Sequence, residues 1–258
     1  MNREDIREVI DRIDTEIIDL LDVRSHFDIE AEKPSFLDEL AAVIESQQIS
    51  LWGIADISGL HPLAEFYPRA LSLAFAYESS FQKYDEAAYY QLTLDVKEAF
   101  EPKFDAVVAY LKERNINHYV VPAKLKDPEN YIPEFPHRLA AVQAGLGWVG
   151  KSSMLITPEY GPRVRLATIL LADDVEADTP FAGNGCGSCS VCFDACQNNA
   201  LKNVPWNQSV SRNEQITPAV CSKKREESIP VLGRKYACGH CLLDCPIGAG
   251  GFTEISAS

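Results

Sequence analysis

The sequence predicts an α/β (α+β) domain with a mixed sheet, followed by a smaller cysteine-rich domain. Three observations predict this. Apolar runs of strand length alternate with helix-period segments between residues 48 and 178. All eight cysteines lie between residues 186 and 245. A glycine-flanked stretch, "TPFAGNG", joins the two regions. The expected divisions are a helical segment at 1–47, the α/β domain at 48–178 and the cysteine-bearing domain at 179–258.

Each element has a local reason. Ile6, Ile10, Ile13, Ile17, Leu20 and Leu21 recur at helical spacing and predict an amphipathic first helix. Pro34-Ser35 opens a second helix through about Ser46, with Ser35 as N-cap. "ISLWGIADI" (49–57) and "RALSLAFAY" (69–77) read as strands across a Gly/Pro-rich loop. Residues 80–114 read as one or two helices broken near Pro102. "NHYVVPA" (117–123) is a third strand, "KLKDPENYIPEFP" (124–136) a loop and "HRLAAVQA" (137–144) a short alanine-rich helix. "SMLIT" (153–157) and "RVRLATILLA" (163–172) read as two strands of a hairpin turned by "PEYGP".

The totals narrow the function. A formal net charge of −14 opposes tight nonspecific binding to a phosphate backbone. Residues 221–235 hold a local excess of Lys and Arg, which reads as a solvated surface. No segment has the length and apolarity of a membrane span, and the acid-rich N-terminus does not read as a signal peptide. A cytoplasmic protein with no membrane partner is expected.

"AGLGWVGKSS" (144–153) fits the pattern G-x-x-x-x-G-K-[ST] of a nucleotide-binding P-loop. A P-loop needs a strand before the turn and a helix after it, so that helix amides face phosphate. Here a helix precedes, an aliphatic run follows, and Pro158 would stop a helix begun at Lys151. An ATPase is therefore the weaker reading of the stretch.

The cysteines carry the stronger signal. "CGSCSVCFDAC" spaces Cys186, Cys189, Cys192 and Cys196 as C-x2-C-x2-C-x3-C, the bacterial ferredoxin spacing for [4Fe–4S] clusters. Three such cysteines wrap one cluster, while the fourth, placed on the following helix, reaches a second. A partner group is thus required. "CGHCLLDCP" supplies Cys238, Cys241 and Cys245, and Cys221 precedes it. The reading is Cys186, Cys189, Cys192 and Cys245 for one cluster, and Cys196, Cys221, Cys238 and Cys241 for the other. A Cys₄ zinc site is the rival, but it would leave four cysteines unused. His240, between two of these cysteines, is placed to tune a cluster by hydrogen bonding.

The assembled order resembles the epoxyqueuosine reductase family, which is related to the reductive dehalogenases. The motifs that carry the resemblance are the alanine-rich helix, "AGLGWVGK", the aliphatic strand, and the two cysteine groups with a lone Cys between them. It runs from about Leu51 to Gly248. It implies a cobalamin-binding α/β domain, then a ferredoxin-like domain with two [4Fe–4S] clusters. Electrons from an external donor of the ferredoxin or flavodoxin type would reduce a small-molecule or modified-nucleoside substrate. It also implies that the "GLGWVGK" loop lies beside the corrin or the proximal cluster, with Gly147, Trp148, Lys151 and Ser153 as the candidate cobalamin contacts. The family's catalytic Asp, fourteen residues before the glycine of A-G-L-G-W, is replaced here by Tyr131, the candidate proton donor. Family members continue into a helical C-terminal region that holds tRNA, whereas this sequence stops thirteen residues after Cys245. That difference and the acidic charge count against tRNA as the substrate. A non-catalytic, ferredoxin-like electron carrier without corrin is the alternative.

Overall fold

The computed structural model describes residues 35–77, 86–207, 209–226 and 238–248. The expected first helix (6–21) lies outside the described residues. Helix α1 (Phe36–Ser46) starts as the sequence predicts. The Ser35 hydroxyl accepts from the Asp38 amide at 3.2 Å, and Asp38 accepts from the Ser35 amide at 2.8 Å.

The central sheet holds β1 (Leu51–Asp56), β2 (Arg69–Ala76), β3 (His118–Val120) and β8 (Val164–Leu171), in the order β1-β2-β8-β3. Every neighbouring pair in it is antiparallel, which corrects the expectation of a mixed sheet. The reason is an insertion. Strand β2 leads through helix α2 (Glu86–Glu113) to β3, which runs in the same direction. Such a crossover would place two parallel strands side by side, but β8 enters between them and runs against both. Eight paired residues join β2 to β8, and both strands are largely buried, which makes them the centre of the domain.

Helix α2 passes through Pro102 without a break, another correction. A proline inside a helix costs about 3 kcal/mol in local terms. Packing outweighs it. Phe100 meets Phe75 of β2 edge-on at 4.4 Å and stacks on Phe104 at 5.3 Å, and Val107 and Leu111 are fully buried. Tertiary burial, rather than intrinsic propensity, sets most helix boundaries in a folded chain.

On the other side of the strands lies helix α3 (His137–Gln143), whose Ala140, Ala141 and Val142 are buried against β1, β2 and β8. Beyond it, β6 (Trp148–Val149) pairs with β7 (Leu155–Ile156). The expected hairpin between 153–157 and 163–172 therefore does not form. Thr157 and Gly161 close a tight loop through two 2.9 Å backbone hydrogen bonds, after which the chain turns away and β8 joins the central sheet. The proline-rich 124–136 segment carries a small ladder, β4 (Leu125–Asp127) with β5 (Ile132–Pro133). The cysteine region is built of short helices: α4 (Val191–Asp194), α5 (Arg212–Gln215), α6 (Pro218–Glu226) and α7 (His240–Leu243).

Candidate functional site

Four thiols meet on the β6–β7 hairpin. Cys186, Cys189, Cys192 and Cys245 line one pocket, together with Lys151, Ser152 and Ile156 of the hairpin. The first three reach it through a compact turn. The Cys189 amide donates to the Cys186 carbonyl at 2.9 Å, and Cys186 donates its own amide to Asn184 Oδ1 at 3.0 Å. Gly185 lets this turn lie on the hairpin, because a Cβ there would stand 2.6 Å from the Trp148 ring. Cys192 sits in α4, and Cys196 follows that helix rather than lying within it, a small correction to the expected placement.

Cys245 arrives from 53 positions further along (245 − 192). Arg163, at the entrance to β8, holds that segment. Its guanidinium donates to the carbonyls of Leu242 at 3.2 Å and Cys245 at 3.1 Å, and also to Ile247. No sequence signal singles out Arg163, because all its partners are backbone carbonyls 79–84 positions away.

None of the eight cysteines is in a disulfide, and all are partly exposed. Burial pushes Cys192 up to about 11, and the charges of Cys186, Cys245 and Cys189 add to it. Cys241, partly exposed yet densely surrounded, is pushed up to about 12 by burial and then by Cys238, Cys221, Cys192 and Cys196. Cys221 is raised chiefly by burial, with Cys238 and Cys196 contributing. Cys241 is thus within electrostatic reach of Cys238, Cys221, Cys196 and Cys192, and Cys221 is within reach of Cys238 and Cys196. Among the described residues, no three His, Cys, Asp or Glu side chains converge tightly enough for a single metal ion. The donor set of the pocket is all sulfur, four thiols from two segments. Soft thiolates in such a set suit an iron–sulfur cluster.

The residues assigned to cobalamin have other neighbours. Trp148 is buried and packs on Phe181 at 5.4 Å, and its indole N–H has no partner among the described residues. Gly147 is pressed against the Ile156 carbonyl. Ser153, in the left-handed region at φ 59°, is gripped through its carbonyl and hydroxyl by Arg138. Lys151 is buried and donates from Nζ to the Cys189 carbonyl at 2.9 Å, so it lies at the cysteine pocket. Tyr131 occupies the turn between β4 and β5 at φ 57°, its carbonyl accepting from Arg212 at 2.7 Å, and it does not line the cysteine pocket. His240 lies 3.4 Å from Asp244. Gln215, overlooked in the sequence, is buried and ties the hairpin to the cysteine region by donating to the carbonyls of Gly150 and Val204.

The chain matches no protein-family model. It is 35% identical over 118 residues to epoxyqueuosine reductase of Bacillus subtilis, a match covering 45% of this chain and 30% of that enzyme. Over 61 residues it is 51% identical to epoxyqueuosine reductase of Gloeobacter violaceus, covering 24% of this chain and 19% of that enzyme. Among solved structures, an epoxyqueuosine reductase bound to a modified tRNA-Tyr stem loop aligns with a TM-score of 0.55 at 21% identity, covering 84% of this chain and 66% of that one. A reductive dehalogenase described with B12-dependent dehalogenation aligns with a TM-score of 0.60 at 19% identity, covering 84% of this chain and 32% of that one. The chain spans about 30% of the length of the first of these curated relatives. By sequence, then, the chain is related to the epoxyqueuosine reductase family, and over most of its length it has the fold that this family shares with a reductive dehalogenase.

Proposed function

We propose that the chain is an iron–sulfur reductase of the epoxyqueuosine reductase type. Residues 48–178 form its α/β domain, and residues 179–258 form a ferredoxin-like domain. Cys186, Cys189, Cys192 and Cys245 hold one [4Fe–4S] cluster, and Cys196, Cys221, Cys238 and Cys241 hold the other. The observation that carries the reading is the pocket in which three closely spaced thiols are joined by a distant fourth. When bound, the clusters supply single-electron transfer. The protein's part is to hold the thiols, limit water around them and fix the two groups near one another. An external donor of the ferredoxin or flavodoxin type delivers the electrons in the cytoplasm. Among the described residues, no helix is long and apolar enough to cross a membrane.

The substrate is an electrophilic small molecule or modified nucleoside. Cobalamin belongs to the proposal through the relatives, with Gly147, Trp148, Lys151 and Ser153 as its candidate contacts. Tyr131 is the candidate proton donor by its position in the sequence. The net charge of −14 weighs against a polynucleotide, although one structural relative is seen with a tRNA stem loop.

The test is chemical analysis of anaerobically purified protein, followed by visible spectra with added cobalamin before and after reduction. About eight irons and eight acid-labile sulfides per chain are expected for two such clusters. Zinc without sulfide would overturn the reading. One observation favours a second reading, the electron carrier: Trp148 packs on Phe181 beside the glycine-rich loop. Clusters without corrin binding would select the carrier.

A further inference from the structure

Two cations attend the pocket of Cys186, Cys189, Cys192 and Cys245, and among the described residues neither pairs with a carboxylate. Lys151 lines the pocket with 7% of its surface exposed, and its hydrogen bond goes to the Cys189 carbonyl. Arg163 grips the carbonyls on both sides of Cys245. Each cation therefore anchors one of the two segments that bring thiols to the pocket. Lysine is almost never buried without a partner. Removing an ammonium from water costs several kcal/mol unless negative charge nearby offsets it. Four neutral thiols cannot offset it, whereas a cluster held by four thiolates can, because it carries net negative charge that grows by one unit on reduction.

We propose that Lys151 and Arg163 are the charge-compensating pair of this cluster, and that their positive charge raises its reduction potential. The inference rests on the iron–sulfur reading above. One electron enters from the external donor, no bond forms or breaks, and the added negative charge is stabilised by cations already in place. Net charge, hydrogen bonding and solvent exposure are the levers that set such potentials. Lys151 acts here on the iron–sulfur side of the loop.

Redox titration of the purified holoprotein, followed by electron paramagnetic resonance, tests it. Lys151→Gln keeps an N–H donor for the Cys189 carbonyl and removes the charge. One of the two one-electron steps should become at least tenfold less favourable, which is 59 mV more negative for a one-electron couple. Lys151→Arg should stay within about threefold of wild type. An unchanged potential in Lys151→Gln, or an equal shift in Lys151→Arg, would overturn the proposal. Arg163→Gln carries the same downward shift and decides the matter if Lys151→Gln fails to retain iron. Loss of iron from both glutamine variants, with the fold intact by circular dichroism, would make the cations structural pins and also overturn it. A wild-type protein free of iron and sulfide would instead sink the reading beneath it.

Discussion

His137, the first residue of α3, gives a pH dependence that can be worked from its surroundings. Its Nδ1 lies 2.9 Å from the Thr168 hydroxyl of β8. Burial pushes its pKa down to about 4, and the positive charge of Arg165 adds to the effect. An ordinary histidine titrates near 6.5, and one unit is worth about 1.36 kcal/mol, so keeping His137 neutral is worth about 3 kcal/mol in full. The folded state excludes a proton that the unfolded state accepts. The contribution is therefore complete above pH 6.5 and is lost as pH falls toward 4. Between pH 7.5 and 5.5 the wild type should lose about 1.4 kcal/mol through this residue alone. Urea unfolding of wild type and His137→Gln at those two pH values isolates the loss, because other titrating groups are common to both. Glutamine can keep a hydrogen bond to Thr168 and does not titrate. Equal losses in the two proteins would show that His137 is protonated in the fold and refute the reasoning.

Two further outcomes follow from the cysteine region. Gly161 has φ +58°, and a Cβ there would overlap the Ile247 carbonyl oxygen, whereas Gly59 at φ +72° has nothing within 4 Å of an added Cβ. Both alanine variants should pay about 1–3 kcal/mol of backbone strain, but only Gly161→Ala should lose iron from the Cys245 pocket, as read by metal analysis. In chelator-treated, reduced protein, Cys192 and Cys241 should react slowly with iodoacetamide at pH 8. Their rates should climb about tenfold per pH unit toward 10, because the thiolate is the nucleophile; peptide mapping by mass spectrometry reads the rates.

What the sequence makes legible is what depends on neighbours in the chain. Strands β1 and β2 stand out because their apolar runs are continuous, and Ser35 because a cap acts within one turn. Strand β8 is legible as a strand, but its place between β2 and β3 is not, since register is decided by partners some 50 to 100 positions away. Pro102 misleads for the same reason: the ring pairs that pack the continuous helix include Phe75 on strand β2. At the site, cysteine spacing is visible in the sequence because Cys186, Cys189 and Cys192 act through one short turn. Lys151 is visible as part of a motif, yet its partner is a carbonyl 38 positions ahead. Arg163 and Gln215 leave no mark at all, because backbone carbonyls have no sequence of their own.

Arg163 also fixes when the pocket can be finished. Synthesis runs from the N-terminus, so Cys186, Cys189 and Cys192 leave the ribosome at least 53 residues before Cys245 (245 − 192). Until the Leu242–Ile247 segment emerges, Arg163 has none of its three carbonyls and the pocket lacks its fourth thiol. On the proposed iron–sulfur reading, loading of this site is therefore a late event in the life of each new chain. The three early thiols stand unguarded in the interval, so a cell that makes this protein in air risks oxidising them before the fourth can close the site.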